Sequence, residues 1–482
     1  MENLISECFG LGILNIMDSM KKHIHFIGIC GVAMSALALA YDKKGYKVTG
    51  SDKGFYPPVS TYLKEAGIAY YPGWHPEKMV ADGIPDLVIV GNVASSTNPE
   101  WLYVQENNIS YKSYPEAVAD QIVKDTSIVC AGTYGKSTTT TLLAWILTQA
   151  KKDPSYMFGG ISLNNIPAAN FNDSNISILE GDEYKTARWD ERPKFSHYSP
   201  THLLLTSVVW DHADVYPTEQ SYIDAFQSLV ESLQEDGQLV LSAKVKNLIK
   251  PKNVPTVTYG KTDDNDYQYK NIQTSKDGTS FDIIHNDETY SIASQTLGDY
   301  TPDNMTGCFA MAHKLGIATD IIVEAMNSFA GVKRRLERRL DGDIAVFDDI
   351  AHSPKKAEAT LRSLKEIYSG NIYAVYEPNG GNRLESSIPG YENKFVYADT
   401  VIIPRLSNIK KDPNKPTPLD GASLAKVIDK SHSDVRFIED DEKLIELLTT
   451  QTKKGDVVAF LGSHGFRGMI NELVEKLEIK NS

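Results

Sequence analysis

The segment TSIVCAGTYGKSTTTTLLAWILTQA, residues 126–150, decides how the rest of the chain is read. Its apolar start has the length of a buried strand, its glycines interrupt that run, and an apolar stripe at helical spacing follows. Gly135, Lys136 and Ser137 stand where the loop turns into the helix. Free amides and the positive end of the helix dipole favour a phosphate there. Lys136 supplies a mobile cation for β- and γ-phosphates, and the Ser137 hydroxyl suits Mg²⁺. Gly132, Thr133, Tyr134 and Thr138 complete the candidate phosphate loop. The spacing departs from the general pattern: Cys130 occupies the place of the first glycine, and the extra glycine is Gly132. A glycine turn capped by serine is the plainer alternative, and the strand–loop–helix context favours the nucleotide.

Downstream, ISILEGDE (176–183) and HLLLTSVVWDHAD (202–214) are apolar runs ending in acidic residues. Parallel sheets present such strand ends to a ligand. Glu180 and His212 are therefore expected near the phosphates, and Ser137, Glu180 and His212 form a candidate metal set for a hard ion shared with phosphate oxygens. Read singly, each has a structural explanation, as a cap or a packed histidine. The stretch 255–297 is polar and Thr/Tyr-rich, which predicts antiparallel β structure.

Upstream, HIHFIGICGVAMSALALAYDKKGYKVTGSD (23–52) reads as a βαβ unit. The turn from Gly28 to Gly31 allows close backbone approach to a diphosphate, although Cys30 stands where a dinucleotide fingerprint has its second glycine. Asp52 lies where a carboxylate can hold a ribose hydroxyl or cap a turn. A dehydrogenase built on this unit is an alternative that a phosphate loop in the same chain disfavours. After GVKRR (331–335), four apolar runs alternate with helical segments: 343–354, 371–378, 399–406 and 455–466. The basic cluster 331–339 could reach triphosphate charge or form a solvated face.

The 482 residues predict about three domains. Boundaries are expected at 1–20 (a leader, with Met20 as a possible internal start), 21–122, 123–331 and 332–482. With 49 Lys+Arg against 63 Asp+Glu, the net charge of −14 argues against a nucleic-acid binder. Cys8, Cys30, Cys130 and Cys308 include no CxxC pair, consistent with reduced thiols in a cytoplasmic compartment. The N-terminus has no signal-peptide or membrane-span pattern.

The order GICGVAM, AGTYGKSTTT, EGDE, DHAD, GVKRR, DDIAHSP, extended by GDVVAFLGSHGFRG, resembles the Mur ligase family. The resemblance implies an α/β protein of three domains. These are an N-terminal Rossmann-like domain for a UDP-sugar, a central P-loop ATPase with a mostly parallel sheet, and a C-terminal Rossmann-like domain that brings an amine. It implies an ATP-dependent amide ligase acting through an acyl phosphate on the lactyl carboxylate of UDP-N-acetylmuramate. The implied amine partner is the peptide L-alanyl-γ-D-glutamyl-meso-diaminopimelate; the alternatives are free L-alanine as the amine, or a non-catalytic nucleotide-binding descendant of such a ligase. The implied cofactors are ATP and Mg²⁺, with no membrane partner, in a monomer or weak homo-oligomer. The implied catalytic residues are Lys136, Glu180 and His212. Asn304, Arg335 and Asp349 join the ATP contacts, while Gly28, Cys30, Gly31, Met34, Ser51, Asp52 and Asn92 face the UDP-sugar. Amine selection is expected near 377–383 and 404–412. The chain departs from the family at GDYTPDN (298–304), at Ser207 and Val209 before DH, and at Ser353 in place of a second histidine.

Overall fold

The computed structural model describes residues 21–57, 59–212, 215–251, 253–407 and 417–481. The expected leader 1–20, Cys8 and part of 404–412 lie outside these residues. Two compact units are present. One runs through Tyr269 and adds Ile283–Thr289 and Asp303–Met326; the other comprises Lys270–Asp282, Tyr290–Pro302 and Asn327–Ser482.

The first unit holds a five-stranded sheet of order β3-β2-β1-β4-β5, built from β1 (His23–Ile27), β2 (Lys47–Asp52), β3 (Ala69–Pro72), β4 (Leu87–Val90) and β5 (Tyr111–Ser113). All its pairings are parallel. Helix α1 (Val32–Lys43) connects β1 to β2, as the 23–52 pattern requires. Helix α2 (Pro99–Glu106) is capped by Asn98, and α3 (Tyr114–Ile122) starts with a Ser113–Glu116 capping box and a proline in its first turn.

A second, mostly parallel sheet in this unit centres on β6 (Thr126–Ala131), with only β8 antiparallel among the strands that follow. Around it lie β7 (Ser155–Met157), β8 (Ala169–Asn170), β9 (Ile176–Gly181), β12 (His202–Leu205), β13 (Gln238–Ser242) and β14 (Thr256–Gly260), in the order β14-β13-β12-β6-β9-β7-β8. Residues 128–131 of β6 are fully buried, as a strand covered on both faces must be. A separate hairpin, β10 (Lys185–Ala187) with β11 (Asp190–Pro193), follows β9. β14 corrects the expectation for 255–297, because it pairs parallel both to β13 and to β15 (Tyr267–Ser275). β16 (Gly278–His285) and β17 (Glu288–Ser294) are joined by Asn286 and Asp287, both at positive φ, as tight hairpins favour.

The two sheets of this unit share one apolar core, running from Phe26, Leu37 and Tyr41 to Leu179, Leu205 and Phe226. Trp101 stacks on Trp189 at 4.7 Å, and Phe171 meets Tyr41 edge-on at 5.2 Å. Near residue 122 the chain passes from the first sheet to the second.

The second unit contains a six-stranded sheet of order β18-β19-β23-β20-β21-β22. Its strands are β18 (Glu337–Asp341), β19 (Ala345–Asp349), β20 (Ile372–Glu377), β21 (Thr400–Pro404), β22 (Val435–Ile438) and β23 (Val457–Gly462). Four correspond to the apolar runs. The other two are sheet edges: β18, an antiparallel strand cut from the charged 331–339 cluster, and the half-buried β22. Edge strands need less apolar character, which hides them from hydropathy. Among the described residues, no helix is long and apolar enough to cross a membrane.

Candidate active site

β6 lies between β9 and β12, pairing in parallel with both: Cys130 is level with Glu180, and Ala131 with Gly181 and Leu205. Three loops consequently leave one sheet edge side by side. The first carries Gly132 at φ 141° and Gly135 at φ 86°, then α4 (Lys136–Gln149). A Cβ on Gly132 would collide with Thr206 Oγ1, so only hydrogen fits between the loops. Thr206 Oγ1 donates to the Tyr134 carbonyl at 2.6 Å, Tyr134 N donates to Ser207 Oγ at 2.9 Å, and Thr133 N donates to the Ser207 carbonyl at 3.0 Å. Ser207, a departure from the family pattern, thus splints the phosphate loop. The same bonds pull the chain out of the sheet. β12 ends at Leu205, so His212 stands on a loop rather than at a strand end, which corrects the 202–214 expectation.

Ser137 Oγ donates to Glu180 Oε1 at 2.8 Å, and the other Glu180 oxygen accepts from Gly159 N at 2.6 Å. Lys136 Nζ lies 2.6 Å from Glu183 Oε2, and His212 Nε2 lies 3.6 Å from Glu183 Oε1. Glu183 also accepts from Tyr222 OH at 3.2 Å, and its carbonyl accepts from Tyr216 OH at 2.6 Å. Lys136, Ser137, Glu180 and His212 therefore gather at one edge: Ser137 meets Glu180 directly, while His212 joins through Glu183. His212 has φ 54°, a left-handed conformation unusual for histidine, and is 36% exposed in its side chain. Asn304 also belongs here, since a Cβ on Gly135 would come within 2.5 Å of its Oδ1.

Burial works against the Lys136 charge, yet Glu183, Asp182 and Glu180 together hold its pKa above the ordinary lysine value. Burial likewise opposes ionisation of Asp182, but Lys194, at 2.5 Å, and Lys136 hold it below the ordinary range. Sequence reading missed Glu183, Asp182 and Lys194 as site members. The signal was the run of three acids in EGDE, from which only the residue ending the strand stood out.

The Gly28 loop forms at the end of the first sheet. Gly28 has φ 92°, and a Cβ there would come within 2.5 Å of Val93 Cγ2. Gly31 N bonds the Gly28 carbonyl at 3.4 Å. Asp52 acts on the loop itself: Oδ2 accepts from Cys30 N at 2.8 Å and Oδ1 from Lys53 N at 2.7 Å. Ser51 and Met34 are buried beneath the loop, and Asn92 Nδ2 reaches the Lys185 carbonyl at 3.4 Å.

In the second unit, Asp349 Oδ2 accepts from Leu336 N at 2.6 Å. Burial pushes its carboxyl up to about 6, partly countered by Arg335. Arg334 donates to Asp348 and to the carbonyls of Gly462, Ser463 and His464, so that of the two arginines it is the strut of the 462–464 loop. Ser353 caps α5 (Pro354–Ile367), accepting from Lys356 N. This gives the substitution for histidine a structural role. Glu377 and Ser407, from the two segments expected to select an amine, meet at 2.8 Å through Ser407 N, and Arg467 approaches Glu377 at 3.5 Å.

Residues 23–125, 130–312 and 334–464 match, in turn, the catalytic domain of the Mur ligase family, the Mur ligase middle domain and the Mur ligase glutamate ligase domain. A UDP-N-acetylmuramate–L-alanyl-γ-D-glutamyl-meso-2,6-diaminoheptandioate ligase of Escherichia coli is 30% identical, covering 95% of this chain and 98% of its own. A UDP-N-acetylmuramate–L-alanine ligase of Brachyspira hyodysenteriae is 31% identical, again covering 95% and 98%. The crystal structure of a murein peptide ligase from Psychrobacter arcticus superposes with a TM-score of 0.70 at 27% identity, covering 95% of this chain and 98% of that one. With three consecutive domain matches spanning most of the chain and a relative 30% identical over 95% of it, the chain belongs to the Mur ligase family, whose members are ATP-dependent amide ligases.

Proposed function

We propose that this ligase joins the lactyl carboxylate of UDP-N-acetylmuramate to the amine of L-alanyl-γ-D-glutamyl-meso-diaminopimelate, as in the recycling of peptidoglycan. The observation that carries the reading is the meeting of Lys136, Ser137, Glu180 and Glu183 at one sheet edge. A carboxylate oxygen attacks the γ-phosphorus of ATP, and ADP leaves. The amine then attacks the acyl carbon, loses a proton, and expels phosphate as the amide forms. Positioning and charge neutralisation carry most of such catalysis. With the Thr133 and Tyr134 amides taken up by Ser207, the amides at the N-terminus of α4 and the Lys136 ammonium are the groups suited to the β- and γ-phosphates.

Ser137 Oγ and the Glu180 carboxylate are hard oxygen donors in contact, a pairing that fits Mg²⁺. Among the described residues no group of three or more His, Cys, Asp or Glu is placed to hold a metal ion. Bound there, Mg²⁺ would supply neutralisation of phosphate charge. His212 borders the same region through Glu183. Arg335 and Asp349 remain proposed ATP contacts, and Gly28, Cys30, Gly31 and Asn92 proposed UDP-sugar contacts. Four scattered cysteines support a reducing, cytoplasmic setting, and we take the chain to act as a monomer or weak homo-oligomer.

L-Alanine is the alternative amine, supported by the alanine-ligase relative. Phosphate release with ATP, Mg²⁺ and UDP-N-acetylmuramate should depend on the tripeptide far more than on free L-alanine. Turnover with L-alanine alone would select the alternative, and no turnover with either amine would remove the ligase reading.

A further inference from the structure

We propose that Glu100 is a positioning residue for the Gly28 loop, holding it in the shape that takes a nucleoside diphosphate. The inference rests on the reading of this loop as the UDP-sugar site.

Glu100 sits in the first turn of α2, where an acid ordinarily faces water and complements the helix dipole. Here its side chain is fully buried. Oε2 accepts from Ser51 Oγ at 2.5 Å, while Oε1 accepts from Tyr71 OH at 2.7 Å and from His75 N at 2.8 Å. His25 Nε2 approaches Oε2 at 3.8 Å. Burial would raise this carboxyl, but contacts from His25, Ser51, Tyr71 and His75 hold it below its ordinary value. A buried charge with this many donors is a keystone rather than a bystander.

The load it carries is the loop. The Ser51 carbonyl accepts from Gly28 N at 2.8 Å and from Ile29 N at 3.1 Å, and the next residue, Asp52, accepts from Cys30 N. Three successive loop amides, at 28, 29 and 30, are therefore tethered to Ser51 and Asp52, and Glu100 pins Ser51 from below. Glu100 itself, with no exposed surface, cannot touch a ligand. It acts through Ser51. The carboxylate is a charged acceptor towards every neighbour, whereas a glutamine of the same volume removes the charge and satisfies Ser51 only if that hydroxyl turns from donor to acceptor, which loosens the hold on Ser51.

The test is titration of the full-length protein with UDP and, separately, with a non-hydrolysable ATP analogue. Glu100→Gln is expected to weaken UDP binding by about tenfold, with the ATP analogue bound as in the parent and with KM for UDP-N-acetylmuramate rising more than kcat falls. Tyr71→Phe keeps the carboxylate and removes one donor, and should weaken UDP by a smaller factor of about three. Should Glu100→Gln not fold, Tyr71→Phe decides alone. A folded variant that binds UDP as the parent does overturns the role of Glu100 while leaving the loop assignment intact. Failure of the parent to bind UDP removes the loop assignment and the proposal with it.

Discussion

The Lys136 ammonium and the Glu183 carboxylate face each other at 2.6 Å across 47 residues of chain, both largely out of water. On the proposed phosphate-binding role of Lys136, a triphosphate would compete with Glu183 for this cation, and the Glu183 carboxylate would keep Tyr222 and His212 as neighbours.

Removing the lysine alone should therefore harm both activity and stability. Lys136→Ala is expected to lower kcat/KM by at least about a hundredfold and stability by about 3 kcal/mol, because Glu183 is left unpaired. The double variant Lys136→Met/Glu183→Gln should recover most of the stability and none of the turnover. Denaturant melts alongside phosphate-release assays test this; an equally unstable double variant would refute the pairing account.

Glu180 should set the magnesium requirement. Its carboxylate meets Ser137 Oγ at 2.8 Å, so Glu180→Gln retains the hydrogen-bonded shape but loses the charge. The Mg²⁺ concentration giving half-maximal rate should rise by about tenfold or more, with UDP binding unaltered. An unchanged magnesium profile would separate Glu180 from the ion.

Gly132 tests the fit between loops. At φ 141°, with Thr206 Oγ1 in the way of any Cβ, Gly132→Ala is expected to cost about 2 kcal/mol and to abolish binding of an ATP analogue measured by calorimetry. The double variant Gly132→Ala/Thr206→Gly should regain part of that binding.

Asp349 gives a pH signature. Burial raises its carboxyl from the usual 3.8 to about 6, so the folded chain holds this proton where the unfolded chain has released it. Stability from this group is then fully present below about pH 4 and is lost as pH rises to about 6, a change of about 3 kcal/mol at most. Asp349→Asn should flatten that part of the stability curve. Thermal midpoints of both proteins from pH 4 to 8 would expose the difference, and parallel curves would contradict it.

Elements with local causes were readable in the chain. The strand at 126–131 is an apolar run too short for a helix, Gly135 must turn, and the 23–52 unit alternates strand, helix and strand with its glycines at the turns. What escaped reading was decided by neighbours. β18 is a charged strand because it pairs with β19 at an edge. β12 stops at Leu205 because Thr206 and Ser207 bond across to the phosphate loop. The shared interior joining the first two sheets depends on contacts such as Trp101 with Trp189, which no local period announces.

From the linear chain alone came the family, the strand–loop–helix at 126–150 and the residue types proposed to meet a nucleotide, since each rests on short-range pattern and residue chemistry. Tertiary structure alone chose which carboxylate faces Lys136, sent Glu100 inward to Ser51, and set His212 on a loop. The reason is that the strand order β12-β6-β9, and the parallel register within it, brings distant loops to one edge, and the burial there makes each charge answer to partners dozens of residues away.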